Sequence, residues 1–212
     1  MLSIPSILAG VLALASVVHS APASLDAEPN SVSGYAMVPI SWNLPVKLDD
    51  PTGATVTVTG TIEEAIAQME ASYPGWNATF QAQLPPIPAD DGDGASLVST
   101  AGLEDPAKYD CNVDYKKATT LTIVWGINYL RGVPGTAKNG PGPNNCGRVS
   151  CSWNSAIYWC NDNDDDKELQ WNDIADAASA TKNKCKYNRG HDVKGRGSMK
   201  ENWNVLIRGD DC

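Results

Sequence analysis

The sequence predicts an α+β protein: a small disulfide-stapled antiparallel sheet with one or two helices, preceded by an acidic, cysteine-free strand–helix segment. Three observations lead there. All six cysteines (Cys111, Cys146, Cys151, Cys160, Cys185 and Cys212) fall in the second half of the 212 residues. Apolar residues recur at strand spacing in some stretches and at helix spacing in others. The charge is also divided. Residues 21–110 carry thirteen acids against Lys47 and Lys108, whereas residues 111–212 carry fourteen bases against twelve acids. The overall net charge of −9 therefore belongs to the first half.

Residues 1–20 open the chain with an apolar run from Ile4 to Val18, closed by Ser20 and followed by Ala21-Pro22. That pattern predicts a signal peptide cleaved after Ser20. The run is shorter than the roughly 20 residues of a membrane span, and no later stretch is longer. Export changes how the cysteines read. In an oxidising compartment an even number predicts three disulfides, with the pairing left open by sequence. The cysteines contain no CxxC pair, and a zinc site is not expected.

Residues 21–83 form the acidic N-terminal segment. ATVTVTG at 54–60 alternates as a strand does, and strand-like pieces surround Pro39 and Pro45. TIEEAIAQMEASY at 61–73 places Ile62, Ala65, Ile66 and Met69 on one helical face, with Thr61 as N-cap and Glu64 completing a capping box. Pro74-Gly75 ends that helix. Asn77-Ala78-Thr79 is a glycosylation sequon, so Asn77 is a candidate glycan site. Residues 84–108 are rich in Pro, Gly, Asp and Ser and poor in apolar bulk, which predicts a flexible linker. An acidic segment ahead of a cysteine-bearing part reads either as a propeptide or as a retained N-terminal subdomain.

Residues 109–212 form the expected disulfide-rich α+β domain. TTLTIVWGINYLRGV at 119–133 is dense in β-formers and is expected to be a strand. A Gly/Pro/Asn loop runs from Gly132 to Asn145. RVSCSWNSAIYWC at 148–160 reads as a strand or a short helix. A helix is expected over 167–181, capped by Asp166, with Trp171, Ile174, Ala175 and Ala178 on its inner face. The last strand is expected over Trp203–Arg208.

Few residue sets suggest chemistry. Lys182, Lys184, Lys186, Arg189, Lys194, Arg196 and Lys200 crowd residues 181–200 with only Asp192 opposing them, a candidate contact surface for an anionic partner. Lys186, Arg189, Lys194 and Arg196 are its expected contacts. Trp153, Trp159, Trp171 and Trp203 suit either core packing or an aromatic platform for sugars, and Trp153 and Trp159 are the platform candidates. Asp162, Asp164, Asp166, Glu168, Gln170 and Asp173 follow EF-hand spacing, but Lys167 stands where that loop needs glycine, so the run reads as a solvated acidic turn. His191 is the one histidine after the leader, and no GxSxG elbow accompanies Ser152 or Ser198. No catalytic residue, metal site or cofactor is expected, and no segment matches a nucleic-acid-binding module.

A secretory leader, a cysteine-free N-terminal part and a cysteine module of about a hundred residues together resemble the small secreted cysteine-rich proteins of filamentous fungi. Gly126-Ile127-Asn128 followed by Arg131-Gly132, a helix with a downstream cysteine, and a closing strand ending in Cys212 are similar to the smut-fungus killer toxins. Tyr129-Leu130 stands here where that family has a cysteine, and the cysteine count is lower. The resemblance implies a compact α/β sandwich acting on rival or host cells. The expected function is thus a secreted, effector-like or toxin-like protein that binds an extracellular host or competitor target. A wall-polysaccharide-binding module is the alternative and a secreted hydrolase the second.

Overall fold

The computed structural model describes residues 34–50, 52–87 and 106–212. The expected signal peptide and most of the expected linker lie outside them. The protein is α+β, and its antiparallel sheets are stapled by three disulfides. Strand β1 (Ala36–Met37) leads into a hairpin of β2 (Ser41–Pro45) and β3 (Thr55–Thr59), then helices α1 (Ile62–Ser72) and α2 (Trp76–Gln83). The second half begins with β4 (Lys108–Asp110), β5 (Ala118–Thr119) and helix α3 (Thr120–Gly132). Strands β6 (Thr136–Asn139), β7 (Asn145–Ser152), β8 (Ser155–Asn161) and β9 (Lys167–Gln170) follow, then helix α4 (Trp171–Lys184). β10 (Lys186–Tyr187), β11 (Asp192–Val193), β12 (Gly195–Ser198) and β13 (Trp203–Gly209) complete the chain.

Three expectations are corrected. The β-forming run at 119–133 is helix α3. Its Ile123, Ile127 and Leu130 fall at helical spacing and are buried, so burial of one face overrides the β-propensity of single residues. The 148–160 segment is neither one strand nor a helix but the hairpin β7–β8. The helix expected over 167–181 is α4 and starts at Trp171, where Gln170 rather than Asp166 is the N-cap and forms the capping box with Asp173, because Lys167–Gln170 is held as β9 against β6. The capping box predicted for α1 is present as Thr61 and Glu64.

The main sheet runs β1-β7-β8-β13-β12-β4, antiparallel except for β1 beside β7. Period-2 alternation sends Ile157, Trp159, Val205 and Ile207 to one face, where they join the core under the helices. Tyr158, Asn204, Leu206 and Arg208 point to the other face. Gly197 lets α4 lie directly on β12, since a Cβ there would overlap the Thr181 hydroxyl. The second sheet, β3-β2-β6-β9, joins strands from both sides of residues 88–105. Trp42 of β2 stacks on Trp171 of α4 at 3.7 Å and 9°. Both rings are buried, and each such ring represents roughly 4–6 kcal/mol of transfer free energy. The residues described on either side therefore share one core.

Cys146–Cys160 crosslinks β7 to β8 at a paired position, Cys111–Cys185 ties the residue just after β4 to the end of α4, and Cys151–Cys212 fixes the C-terminus beside β7. Closing loops of 14 to 74 residues limits the unfolded chain by about 3 to 4.5 kcal/mol per bridge in the chain-entropy model. No helix among the described residues is long and apolar enough to cross a membrane.

Candidate functional site

The β7–β8 hairpin turns on Trp153 and Asn154, both left-handed at φ 46° and 55°, as a two-residue type I′ turn demands. Ser152 and Ser155 pair across its base. The Ser155 hydroxyl donates to the Trp153 carbonyl at 3.3 Å and accepts from the Thr119 amide at 3.0 Å. The Cys151–Cys212 bridge lies two residues before Trp153. The indole is thus mounted on a fixed turn, and it is 79% exposed. Trp159 on the same hairpin is completely buried and belongs to the core, so it offers no platform.

Two further features adjoin this tip through the start of α3. Leu121 and Trp125, one helical turn apart, are exposed on the outer side of that helix. The Thr120 amide donates to the His191 carbonyl at 2.9 Å, which places the β10–β11 turn beside it. That turn carries Asn188, Arg189 and Gly190 in succession at positive φ, with Arg189 and His191 exposed. Lys117 is half exposed, 3.8 Å from Asp192, and lies over the Tyr187 ring.

The four expected cationic contacts do not form one surface. Arg189 is exposed at the turn and Lys186 is half-buried on β10. Lys194 is half-buried and donates to the Val113 carbonyl at 2.6 Å. Arg196 lies on the outer face of the main sheet, its guanidinium 5.3 Å from the Tyr35 ring and 3.4 Å from the Tyr115 hydroxyl. Lys182 of the same run is buried.

The outer sheet face gathers residues that the sequence reading passed over. Asp210 is nearly buried and meets Arg148 at 3.4 Å, Arg208 at 3.7 Å and the Tyr158 hydroxyl. Arg208 lies over the Tyr115 ring. Burial, reinforced by Asp210, pushes the Tyr158 phenol far above its ordinary value, and burial also raises Tyr35. The alternation of Asn204, Leu206 and Arg208 with Val205 and Ile207 was the available signal for this face.

The acidic run 162–173 does not converge on a point. Asp166 pairs with Lys138 at 2.6 Å, Glu168 accepts from Thr136, and Asp173 caps α4. No group of three acidic, histidine or cysteine side chains among the described residues is placed to hold a metal ion. Asn77 sits in the first turn of α2, half-buried, with its side-chain oxygen 3.3 Å from Gln81 Nε2. No family model matches the chain, and no curated protein or solved structure matches it.

Proposed function

We propose that this is an exported, effector-like or toxin-like protein that binds a host or competitor target outside the cell, and that the Trp153 tip with the adjoining Arg189 turn is its contact end. The exposure of Trp153 carries the reading. A non-glycine residue at positive φ costs of order 1–3 kcal/mol, and a bare indole recovers little of that by burial. Neither term stabilises the fold, so the ring has its use outside the chain. Amphipathic aromatic rings beside arginine are the side chains that dominate protein contact sites. Three disulfides fit an oxidising compartment, in keeping with the leader-like residues 1–20. The resemblance of short pieces within residues 120–212, Gly126-Ile127-Asn128 and Arg131-Gly132 among them, to the smut-fungus killer toxins points the same way.

Retention of labelled protein on candidate host and competitor cells tests it. Trp153→Ala and Arg189→Glu should each lower retention about tenfold, a 1.4 kcal/mol loss. Undiminished retention of both variants would remove the proposal. Because a flat exposed ring also stacks on sugar faces, the polysaccharide reading keeps one specific support. Trp153-dependent retention on insoluble chitin or glucan would favour it over a protein target, and no retention would dismiss it.

A further inference from the structure

A cavity of about 220 Å³ lies between β1, the start of α1 and β7, apart from the Trp153 tip. One wall is apolar, from Met37, Val38 and Ile40, and the polar side chains at it are Arg148, Tyr158, Glu64 and Thr61. Arg148 uses only one of its nitrogens on the protein. Nη1 donates to the Asp211 carbonyl at 2.9 Å and meets Asp210 at 3.4 Å, while Nε and Nη2 have no partner among the described residues. Asp210 does not neutralise it alone, since that carboxylate also serves Arg208 and Tyr158. The Tyr158 phenol stays protonated and adds no negative charge. Glu64 is committed through Oε2 to the Thr61 amide at 2.7 Å.

We propose that this cavity binds a small aliphatic carboxylate, its oxygens on the free edge of Arg148 and its chain along Met37, Val38 and Ile40. A guanidinium edge presents two parallel N–H donors that match the two oxygens of a carboxylate. The volume equals roughly seven waters at ~30 Å³ each, which suits a ligand of roughly eight heavy atoms. Neither an alcohol nor an amine of that length can use the arginine in this way.

The test is an amide-resolved NMR titration of the oxidised, exported chain with sodium hexanoate, alongside hexanol and hexylamine. Saturable shifts at Met37, Val38 and Gly147 are expected with hexanoate and not with the other two. Arg148→Gln should weaken hexanoate at least about tenfold, as loss of one member of a charge pair does. Since Arg148 also holds the C-terminus, Glu64→Gln supplies a second arm. Glutamine keeps the α1 capping box while removing a negative charge at the cavity, so hexanoate should bind severalfold tighter. Shifts that never saturate, hexanol binding as well as hexanoate, or hexanoate affinity indifferent to both substitutions would overturn the assignment.

Discussion

Trp153→Ala and Trp159→Ala delete the same side chain six residues apart on one hairpin, and they should behave oppositely. Trp159 is fully buried, so its loss is expected to cost about 3–5 kcal/mol and lower Tm by about 10 °C. Alanine at 153 keeps the same backbone strain and removes almost no burial, so stability should stay within about 0.5 kcal/mol while target retention falls. Calorimetry of both variants decides; a large stability loss in Trp153→Ala would mean that the ring packs against the protein. Two tyrosines carry a pH prediction. Tyr158 and Tyr35 have raised pKa values in the fold, with burial the main cause in each. In the unfolded chain both ionise near 10. Below that value the two states hold the same protons and the groups leave stability unchanged with pH. Above about pH 10 the unfolded chain sheds protons that the folded one keeps, so stability falls as pH rises toward the folded values. Absorbance at 295 nm should show at least two of the seven tyrosines still protonated in the folded protein above pH 10. Seven ionising together near pH 10 in the folded protein would contradict this.

At the scale of elements, α3 shows where local sequence misleads. Its Thr, Ile, Val, Trp and Tyr residues read as strand one by one, yet Ile123, Ile127 and Leu130 recur at the helical period and thirteen residues is long for a strand. The tertiary reason is Gly126. A Cβ at that position would overlap the Ser150 hydroxyl and come within 3.2 Å of Ile157 Cδ1, so glycine sets how closely the helix lies on β7 and β8. Gly126→Ala therefore sets a helix-propensity gain of about 1 kcal/mol against overpacking of about 1–3 kcal/mol, and overpacking should win. Urea unfolding of Gly126→Ala, Ser150→Gly and the double variant should give a favourable coupling between the two changes. A simple gain in stability from Gly126→Ala would show that α3 can lift off the sheet freely. By contrast, the caps and periods of α1 and β13 were legible because their local signals agree with their packing. The tip was legible only as a tryptophan and a run of cations. Which tryptophan faces water depends on the pairing register of β8 with β13, and which cations share a surface depends on β11 pairing with β5. Both are contacts across many residues of chain, which local patterning does not encode.

For the whole molecule, composition suggests an acidic front half and a cysteine-bearing back half, but the core crosses that division. Ile40 packs on Gly147, whose missing side chain makes the room. Trp42 covers Trp171, and Glu63 accepts from the Ser150 hydroxyl at 2.6 Å and the Cys151 amide at 3.0 Å. Asn204 donates to the Tyr35 hydroxyl at 3.2 Å on the opposite face of the sheet. A chain consisting of residues 106–212 alone would expose Trp171 and the Gly147 side of β7, and it would leave β6 without β2. The three disulfides all lie inside that piece, so crosslinking alone would predict that it folds. The burial argument predicts the reverse. Loss of the Trp42 contact and of Ile40 removes at least about 5 kcal/mol of apolar burial, comparable to the whole net stability of a domain. The isolated piece should therefore lack the near-ultraviolet circular dichroism of packed tryptophans and bind a hydrophobic dye. Supplying residues 34–87 as a separate chain should restore the signal. The full chain should unfold in one cooperative step seen alike by tryptophan emission and by far-ultraviolet dichroism. A well-packed, dye-free 106–212 fragment would instead establish the cysteine-bearing part as an independent domain, with the acidic segment an accessory that export can remove.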